Sequence, residues 1–155
     1  MRIVDKTLLD GLSAAARTAP RLRRNHNLHP SDDSACHRLF NAIEPGSYIR
    51  AHRHLAVEKD EAFVLVRGTL GILCFDAEGT VTATALLGGA GGQVAADILH
   101  GVYHTALALE PGTIFFEAKA GPYLPLSEDE KAPFAPEEGT PEAARFLERL
   151  ASHFA

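Results

Sequence analysis

The sequence predicts a small all-β protein, a sandwich or barrel of short strands with a helix near each end. Short apolar segments recur between residues 37 and 118, and each one stops at a glycine or proline turn. No helical pattern separates these segments, which argues against a parallel sheet with crossover helices. The length of 155 residues and the hydrophobic content of 46% suit a single domain with one core.

The elements follow in chain order. An amphipathic helix is predicted in DKTLLDGLSAAARTAP, because leucine and alanine recur at helical spacing and Pro20 ends the pattern. A turn is predicted over residues 30–33, which are proline, serine and two aspartates. Strands are then predicted in the segments HRLFNAI, SYIRAHRH, EAFVLVRG, TLGILCFD, VTATALLG, GQVAADIL, YHTALAL and TIFFEAK.

The chain after Lys119 is predicted to be a proline-rich arm that wraps the strands. A last helix is predicted in PEAARFLERLASHF, with Pro141 in its first turn. We therefore expect one domain over residues 1–155, with a helix in 1–20, a barrel core in 37–119, and the arm and second helix in 120–155.

Charge and composition exclude several classes of function. The formal net charge of -5 leaves no basic footprint for nucleic acid. Charges at Asp5, Lys6 and Asp10 interrupt any signal-peptide core, and no apolar run has the length of a membrane span. Cys36 and Cys74 have no metal-binding spacing, so we expect two reduced thiols. These features predict a cytoplasmic protein that binds neither nucleic acid nor membrane.

The segment GSYIRAHRHLAVEKDE carries the clearest chemical signal. His52 and His54 share one face of the predicted strand, and a hairpin can bring Glu61 opposite them. His104 adds a third imidazole from a strand farther along the chain. Three imidazoles and a carboxylate suit Fe, Mn, Ni, Co, Cu or Zn and leave positions open for water or substrate. A solvent-exposed histidine pair is the alternative interpretation of the first two.

A run of the form G-x5-H-x-H-x6-E-x6-G begins at Gly46 and resembles the first sequence motif of the cupin family. The gap before the carboxylate is longer than the family's usual gap. Glu58 satisfies the shorter gap, but only Glu61 keeps the six-residue step to Gly68. Glu61 is therefore the preferred ligand, and Glu58 is the alternative.

The segment around Gly101 and His104 resembles the heart of the second cupin motif, with Leu99 and Ala108 in place of the usual proline and asparagine. A narrower resemblance covers nearly the whole chain. The segments RLRRNHNLHPSDD, EPGSYIRAHRH, GILCFDAEG, HGVYHTALALEPGTIFFEAKAGPY and KAPFAPEEG look like the WbuC family of cupin-fold metalloproteins, which is associated with surface-polysaccharide (O-antigen) gene clusters.

This resemblance implies a single cupin barrel of jelly-roll type and one divalent transition metal, namely Fe, Zn, Ni or Mn. The implied ligands are His52, His54, Glu61 and His104. Many cupins are dimers, so a homodimer is expected.

Other polar residues are candidates for contacting a ligand. Tyr48 shares the predicted strand face of His52 and offers an acidic hydroxyl, and Lys119 on the last strand could hold an anion or move a proton. These two are the predicted catalytic residues. The arginines of RLRRNH suit phosphate or carboxylate, with ordinary surface charge as the alternative. The predicted substrate-binding residues are Arg23, Arg24, Asn25, Arg50 and His100.

Three functions are consistent with these features. The preferred one is a metal-dependent enzyme that isomerises, epimerises or cleaves a small anionic or sugar-type metabolite, such as a sugar nucleotide. The second is an Fe(II)-dependent dioxygenase. The third is a non-catalytic cupin that binds a small molecule.

Overall fold

The structure, a computed structural model, describes residues 1–90 and 92–155. Its helices are α1 (Lys6–Thr18) and α2 (Pro141–Ala151), and its strands are β1 (Arg23–Asn27), β2 (Cys36–Ile43), β3 (Glu61–Arg67), β4 (Leu70–Phe75), β5 (Val81–Leu87), β6 (Ala95–Ile98), β7 (Tyr103–Ala108) and β8 (Thr113–Ala120). A five-stranded sheet has the order β1-β2-β8-β3-β6, and a three-stranded sheet has the order β5-β4-β7. All strand pairs are antiparallel. The predicted all-β jelly-roll barrel with a helix near each end is confirmed.

The core lies between the two sheets, because alternate strand residues point inward. The buried side chains there are Ile43, Phe63, Leu70, Ile72, Leu87, Ile98, Ala106, Ala108 and Phe115. Helix α1 covers the outer face of the larger sheet, where Leu12 and Ala16 pack against Ala42 and Ile114. The Asp5 side chain accepts a hydrogen bond from the backbone N–H of Leu8 and so caps this helix.

Helix α2 and the arm cover the outer face of the smaller sheet. Phe146 and Leu150 of α2 pack into one cluster with Leu73 and Leu107 of the sheet and Ala132 of the arm. Pro141 opens α2, as the sequence predicts, and Thr140 caps it. Among the described residues, no helix combines the length and the apolar character needed to span a membrane.

The segment SYIRAHRH is not the regular strand that the sequence predicts. It is extended chain that changes partners: the N–H of His52 donates to the carbonyl of His104 (3.0 Å), while the N–H of Ala132 in the arm donates to the carbonyl of Ala51 (3.0 Å). His52 is thus in isolated bridges with β7 on one side and with Lys131 on the other. Single bridges to two neighbours do not enforce the strict alternation of a ladder.

Strand β1 is absent from the predicted set of strands. Its sequence RRNHN is polar, so it gives no apolar alternation to recognise. It forms because β2 offers a free edge, with Arg23 opposite Ile43 and Asn25 opposite Asn41. The larger sheet therefore starts at Arg23, before the predicted barrel core of 37–119.

Candidate metal centre

Three chain segments bring the four predicted metal ligands together at the mouth of the barrel. His52 and His54 lie on the extended segment, Glu61 is the first residue of β3, and His104 lies on β7. One ligand atom each from His52, His54 and Glu61 lies within 4.8 Å of the others. Nε2 of His104 lies 2.8 Å from Oε2 of Glu61. The cluster thus contains three imidazoles and one carboxylate.

The backbone fixes the orientation of two imidazoles. Nδ1 of His52 donates to the carbonyl of Arg50 (3.0 Å), and Nδ1 of His104 donates to the carbonyl of Val102 (2.9 Å). Each bond leaves Nε2 of that ring with its lone pair available, which is the tautomer that metal-binding histidines adopt. The rings of His52 and His104 are therefore held in an orientation suited to binding a metal through Nε2.

The third imidazole contains an unsatisfied buried nitrogen. Nε2 of His54 has no hydrogen-bond partner, although it lies 3.1 Å from Oε1 of Glu61. Buried polar atoms are normally satisfied, and an unsatisfied imidazole nitrogen beside a carboxylate is what a bound cation would satisfy. The residues present therefore fit a divalent transition metal.

Glu61, and not Glu58, is the carboxylate of the cluster. Glu61 is 2% exposed, whereas Glu58 is exposed on the loop before β3.

Nζ of Lys119 lies 2.6 Å from Oε1 of Glu61 and 2.8 Å from Oε1 of Glu117. Lys119, one of the two predicted catalytic residues, is thus at the cluster.

The charged groups at this site shift one another's pKa values. Burial would raise the pKa of Glu61, but the adjacent imidazoles of His104 and His54 and the charge of Lys119 hold it well below its usual range. Burial opposes the charge of Lys119, but the two neighbouring carboxylates outweigh that effect and raise its pKa. Burial, followed by the His104 charge, lowers the pKa of His52 to about 4. At neutral pH the cluster therefore offers a carboxylate and a neutral His52.

A cavity of about 210 Å³ adjoins the cluster inside the barrel. It is lined by His52, Glu61, Phe63, His104, Phe115, Glu117, Lys119 and Asn41, among others. The Asn41 side-chain amide donates to Oε2 of Glu117 (2.7 Å), and burial raises the pKa of Glu117. The sequence analysis missed both residues as site residues. Alternate residues of a strand share one face, and this rule could have identified both. Glu117 lies two positions before Lys119, a predicted site residue, and Asn41 lies two positions before the apolar Ile43.

Tyr48 does not reach the cluster. Its ring packs edge-on against Phe146 and its hydroxyl donates to the carbonyl of Pro136 (2.8 Å), so the side chain faces α2 and the arm. Burial raises its pKa to about 12. The predicted shared face with His52 is wrong, because the segment is not a regular strand.

Two of the predicted substrate contacts also lie elsewhere. Arg50 points toward the arm, where it pairs with Glu137 at 2.6 Å. His100 lies on an exposed turn, and its Nδ1 is 2.8 Å from Oδ1 of Asp60. Neither side chain lines the cavity beside the cluster.

The remaining predicted contacts lie on β1. Arg23 lines the cavity beside the cluster, and its guanidinium pairs with Glu138 of the arm at 2.7 Å. Arg24 and Asn25 line a wider cleft of about 390 Å³ along β1 and β2, which shares Arg23 and Asn41 with that cavity. The structure thus brings Arg23 to the site and places Arg24 and Asn25 farther along the same surface.

The fold is similar to several solved structures. TT1209 from Thermus thermophilus is 20% identical, with 77% of this chain and 97% of that chain covered and a TM-score of 0.53. KdgF from Halomonas sp., a cupin-fold protein, is 16% identical, with coverage of 66% and 82% and a TM-score of 0.50. A cupin-2 domain containing protein from Shewanella frigidimarina is 19% identical, with coverage of 63% and 80% and a TM-score of 0.46. At these identities the likeness to TT1209 and KdgF concerns the fold alone, which is that of a single cupin domain.

Sequence comparison gives a family. No curated protein matches the chain. The family model described as a domain of unknown function (DUF6016) matches residues 4–87, which is more than half of the chain. The match extends from α1 to the end of β5 and contains His52, His54 and Glu61, whereas His104 lies beyond it. The chain belongs to the DUF6016 family and has a cupin fold.

Proposed function

We propose that this chain is a metal-dependent enzyme of the WbuC type that acts on a small anionic or sugar-type metabolite of surface-polysaccharide biosynthesis. The observation that carries the proposal is the cluster of His52, His54, His104 and Glu61, which opens onto a cavity of about 210 Å³. A structural metal site is closed by protein ligands, whereas a catalytic one keeps a side open for substrate. The open cavity therefore favours chemistry.

The chain's own residues suit proton transfer beside such a metal. A bound metal would polarise a carbonyl or hydroxyl oxygen of the substrate. Isomerisation, epimerisation and lyase reactions also require a group that removes a proton and a group that supplies one. Glu117 and Lys119 both line the cavity. The raised pKa of Glu117 makes its carboxylate a stronger base and, once protonated, a group that can return the proton. The raised pKa of Lys119 keeps its ammonium charged, so that it can stabilise negative charge that develops on the substrate.

Asn41 has a positioning role in this proposal. Its amide donates to Oε2 of Glu117, while Lys119 contacts Oε1 of the same carboxylate. Both oxygens of the base therefore have a fixed direction. Pre-oriented groups lower the reorganisation that proton transfer requires.

Metal content tests the proposal directly. The full chain is purified without chelator and without an affinity metal, and its metals are measured by elemental mass spectrometry. We expect roughly one equivalent of a transition metal in the wild type and its loss in His52→Ala and Glu61→Ala. Glu58→Ala is the matched control and should keep the metal, because Glu58 is exposed on the loop before β3.

The outcome decides between classes of function. A wild type that holds no metal after reconstitution would overturn the proposal. Iron with oxygen uptake would support a dioxygenase in place of an isomerase or lyase. Zinc, nickel or manganese would direct substrate screens to sugar isomerases and lyases.

A further inference from the structure

A second opening beside the metal centre is surrounded by positive charge. This cavity of about 280 Å³ is lined by His52 together with Arg21, Arg23, Arg50 and Lys131, the last of which pairs with Glu128 at 2.6 Å. Sugar hydroxyl groups do not require four cations. Guanidinium groups bind carboxylate and phosphate oxygens through forked hydrogen bonds, so this set suits a ligand with more than one negative charge.

Two glutamates of the arm occupy this opening. Glu138 accepts a forked pair of hydrogen bonds from Arg23 (2.7 and 3.0 Å) and a further bond from Arg21 (3.1 Å). The next residue toward the N-terminus, Glu137, pairs with Arg50 at 2.6 Å. The two carboxylates thus stand where the oxygens of a bound anion would stand.

The cations and their partners differ in burial. Arg23 and Arg50 belong to the barrel framework, and their side chains are 18% and 22% exposed. Glu137 and Glu138 belong to the irregular arm, and their side chains are 76% and 34% exposed. A largely buried guanidinium needs an anionic partner, while an exposed carboxylate loses little when it returns to water. Glu137 and, to a lesser degree, Glu138 are therefore the replaceable half of each pair.

The arm need not unfold to release them. Ala135 on one side and Ala143 on the other are 3% and 2% exposed and pack in the cluster under α2. These buried positions hold the backbone on both sides of the two glutamates. Side-chain rotation at Glu137 and Glu138 is enough to open the cationic site.

We propose that Glu137 and Glu138 close an anion subsite and that a phosphate-bearing ligand displaces them. The two carboxylates carry about the charge of a phosphate monoester or a diphosphate at neutral pH. His52 and Arg23 line both this opening and the metal cavity, so a single ligand can span the two. That spanning rests on the proposed function, whereas the anion subsite does not.

Calorimetry with inorganic pyrophosphate on the full, metal-free chain tests the subsite. The double variant Glu137→Gln/Glu138→Gln keeps the shape of the arm and removes both charges. It should bind pyrophosphate about tenfold more tightly than the wild type, because the ligand no longer competes with carboxylates. The control Glu142→Gln/Glu148→Gln changes the net charge equally on α2 and should leave the affinity near that of the wild type.

A third change tests whether the arginines cause the increase in pyrophosphate affinity. Arg23→Gln added to the Glu137/Glu138 double variant should abolish the gain. If the double variant does not fold, Glu137→Gln alone serves, since its carboxylate is 76% exposed, and it should give about a threefold gain. An unchanged affinity, an equal gain in the control, or a gain that survives Arg23→Gln would overturn the subsite. Metal content is measured separately, so either proposal can fail alone.

Discussion

Lys119 shows how one residue organises the candidate centre. Its ammonium lies between Glu61 and Glu117, and its side chain is only 20% exposed. Glu61 and Glu117 are buried carboxylates that contact the same ammonium, and without that cation they would repel each other. Lys119 therefore stabilises the arrangement before any metal binds.

Replacing Lys119 by methionine should destabilise the metal-free chain by about 3 kcal/mol, because it leaves two buried carboxylates without their cation. Urea unfolding measures the difference. Lys6→Met is the control, since Lys6 pairs with Asp10 on the surface and is 83% exposed. The control should lose far less stability. Equal losses in the two variants would contradict a stabilising role of Lys119 between Glu61 and Glu117.

Tyr48 is predicted from the sequence to be catalytic, but in the structure it packs against α2 and the arm. Tyr48→Phe should cost about 1 kcal/mol at neutral pH, because the hydrogen bond to Pro136 is lost. The folded state raises the pKa of Tyr48 from 10.0 to about 12 through burial, so the folded chain holds the phenolic proton more tightly than the unfolded chain. The stability that this proton contributes is present below pH 10 and decreases as the pH rises toward 12.

The stability gap between wild type and Tyr48→Phe should therefore narrow between pH 10 and pH 12. Urea unfolding at a series of pH values measures both proteins under the same conditions. The comparison cancels the titration of groups that the two proteins share. A gap that stays constant over this range would mean that the hydroxyl ionises as freely in the folded chain as in the unfolded one.

At the scale of elements, turns and edges decide where the site residues come together. Gly68 joins β3 to β4 with a φ of 78°, a conformation that side chains with a Cβ rarely adopt. A Cβ at this position would also lie 2.8 Å from Cα of Thr113, at the start of β8. The turn thus holds β3, which carries Glu61, against β8, which carries Lys119.

Gly68→Ala should destabilise the chain by about 2 kcal/mol or more, because it combines backbone strain with a contact to backbone atoms. Gly11→Ala is the matched control. Gly11 lies in α1 with nothing within 4 Å of an added Cβ, so this change should stabilise the chain by about 0.5–1 kcal/mol. Thermal unfolding distinguishes the two, and the same sign of change in both variants would contradict the argument.

For the whole molecule, the sum of charges hides their distribution. The net charge of -5 gives no hint of the cationic opening beside His52. Its arginines and lysine come from three distant parts of the chain, and two glutamates of the arm neutralise the arginines. Only the folded chain places these charges in one opening next to the candidate metal centre.

The sequence by itself determined the fold class and three of the candidate ligands, namely His52, His54 and Glu61. Alternating apolar segments with glycine and proline turns depend on local geometry, and the spacing of His52, His54 and Glu61 is likewise local. The step to Gly68 favoured Glu61, which lies buried in the cluster, over Glu58, which is exposed. These features could be predicted because each depends on residues close together in the chain.

Tertiary structure alone decided which side chains share the site. Tyr48 and Arg50 face the arm because their segment bridges two different neighbours, and no local pattern encodes that choice. Asn41 and Glu117 meet because β2 and β8 pair in one register. Pairing between strands that are far apart in sequence depends on the packing of the whole chain, which strand periodicity does not specify.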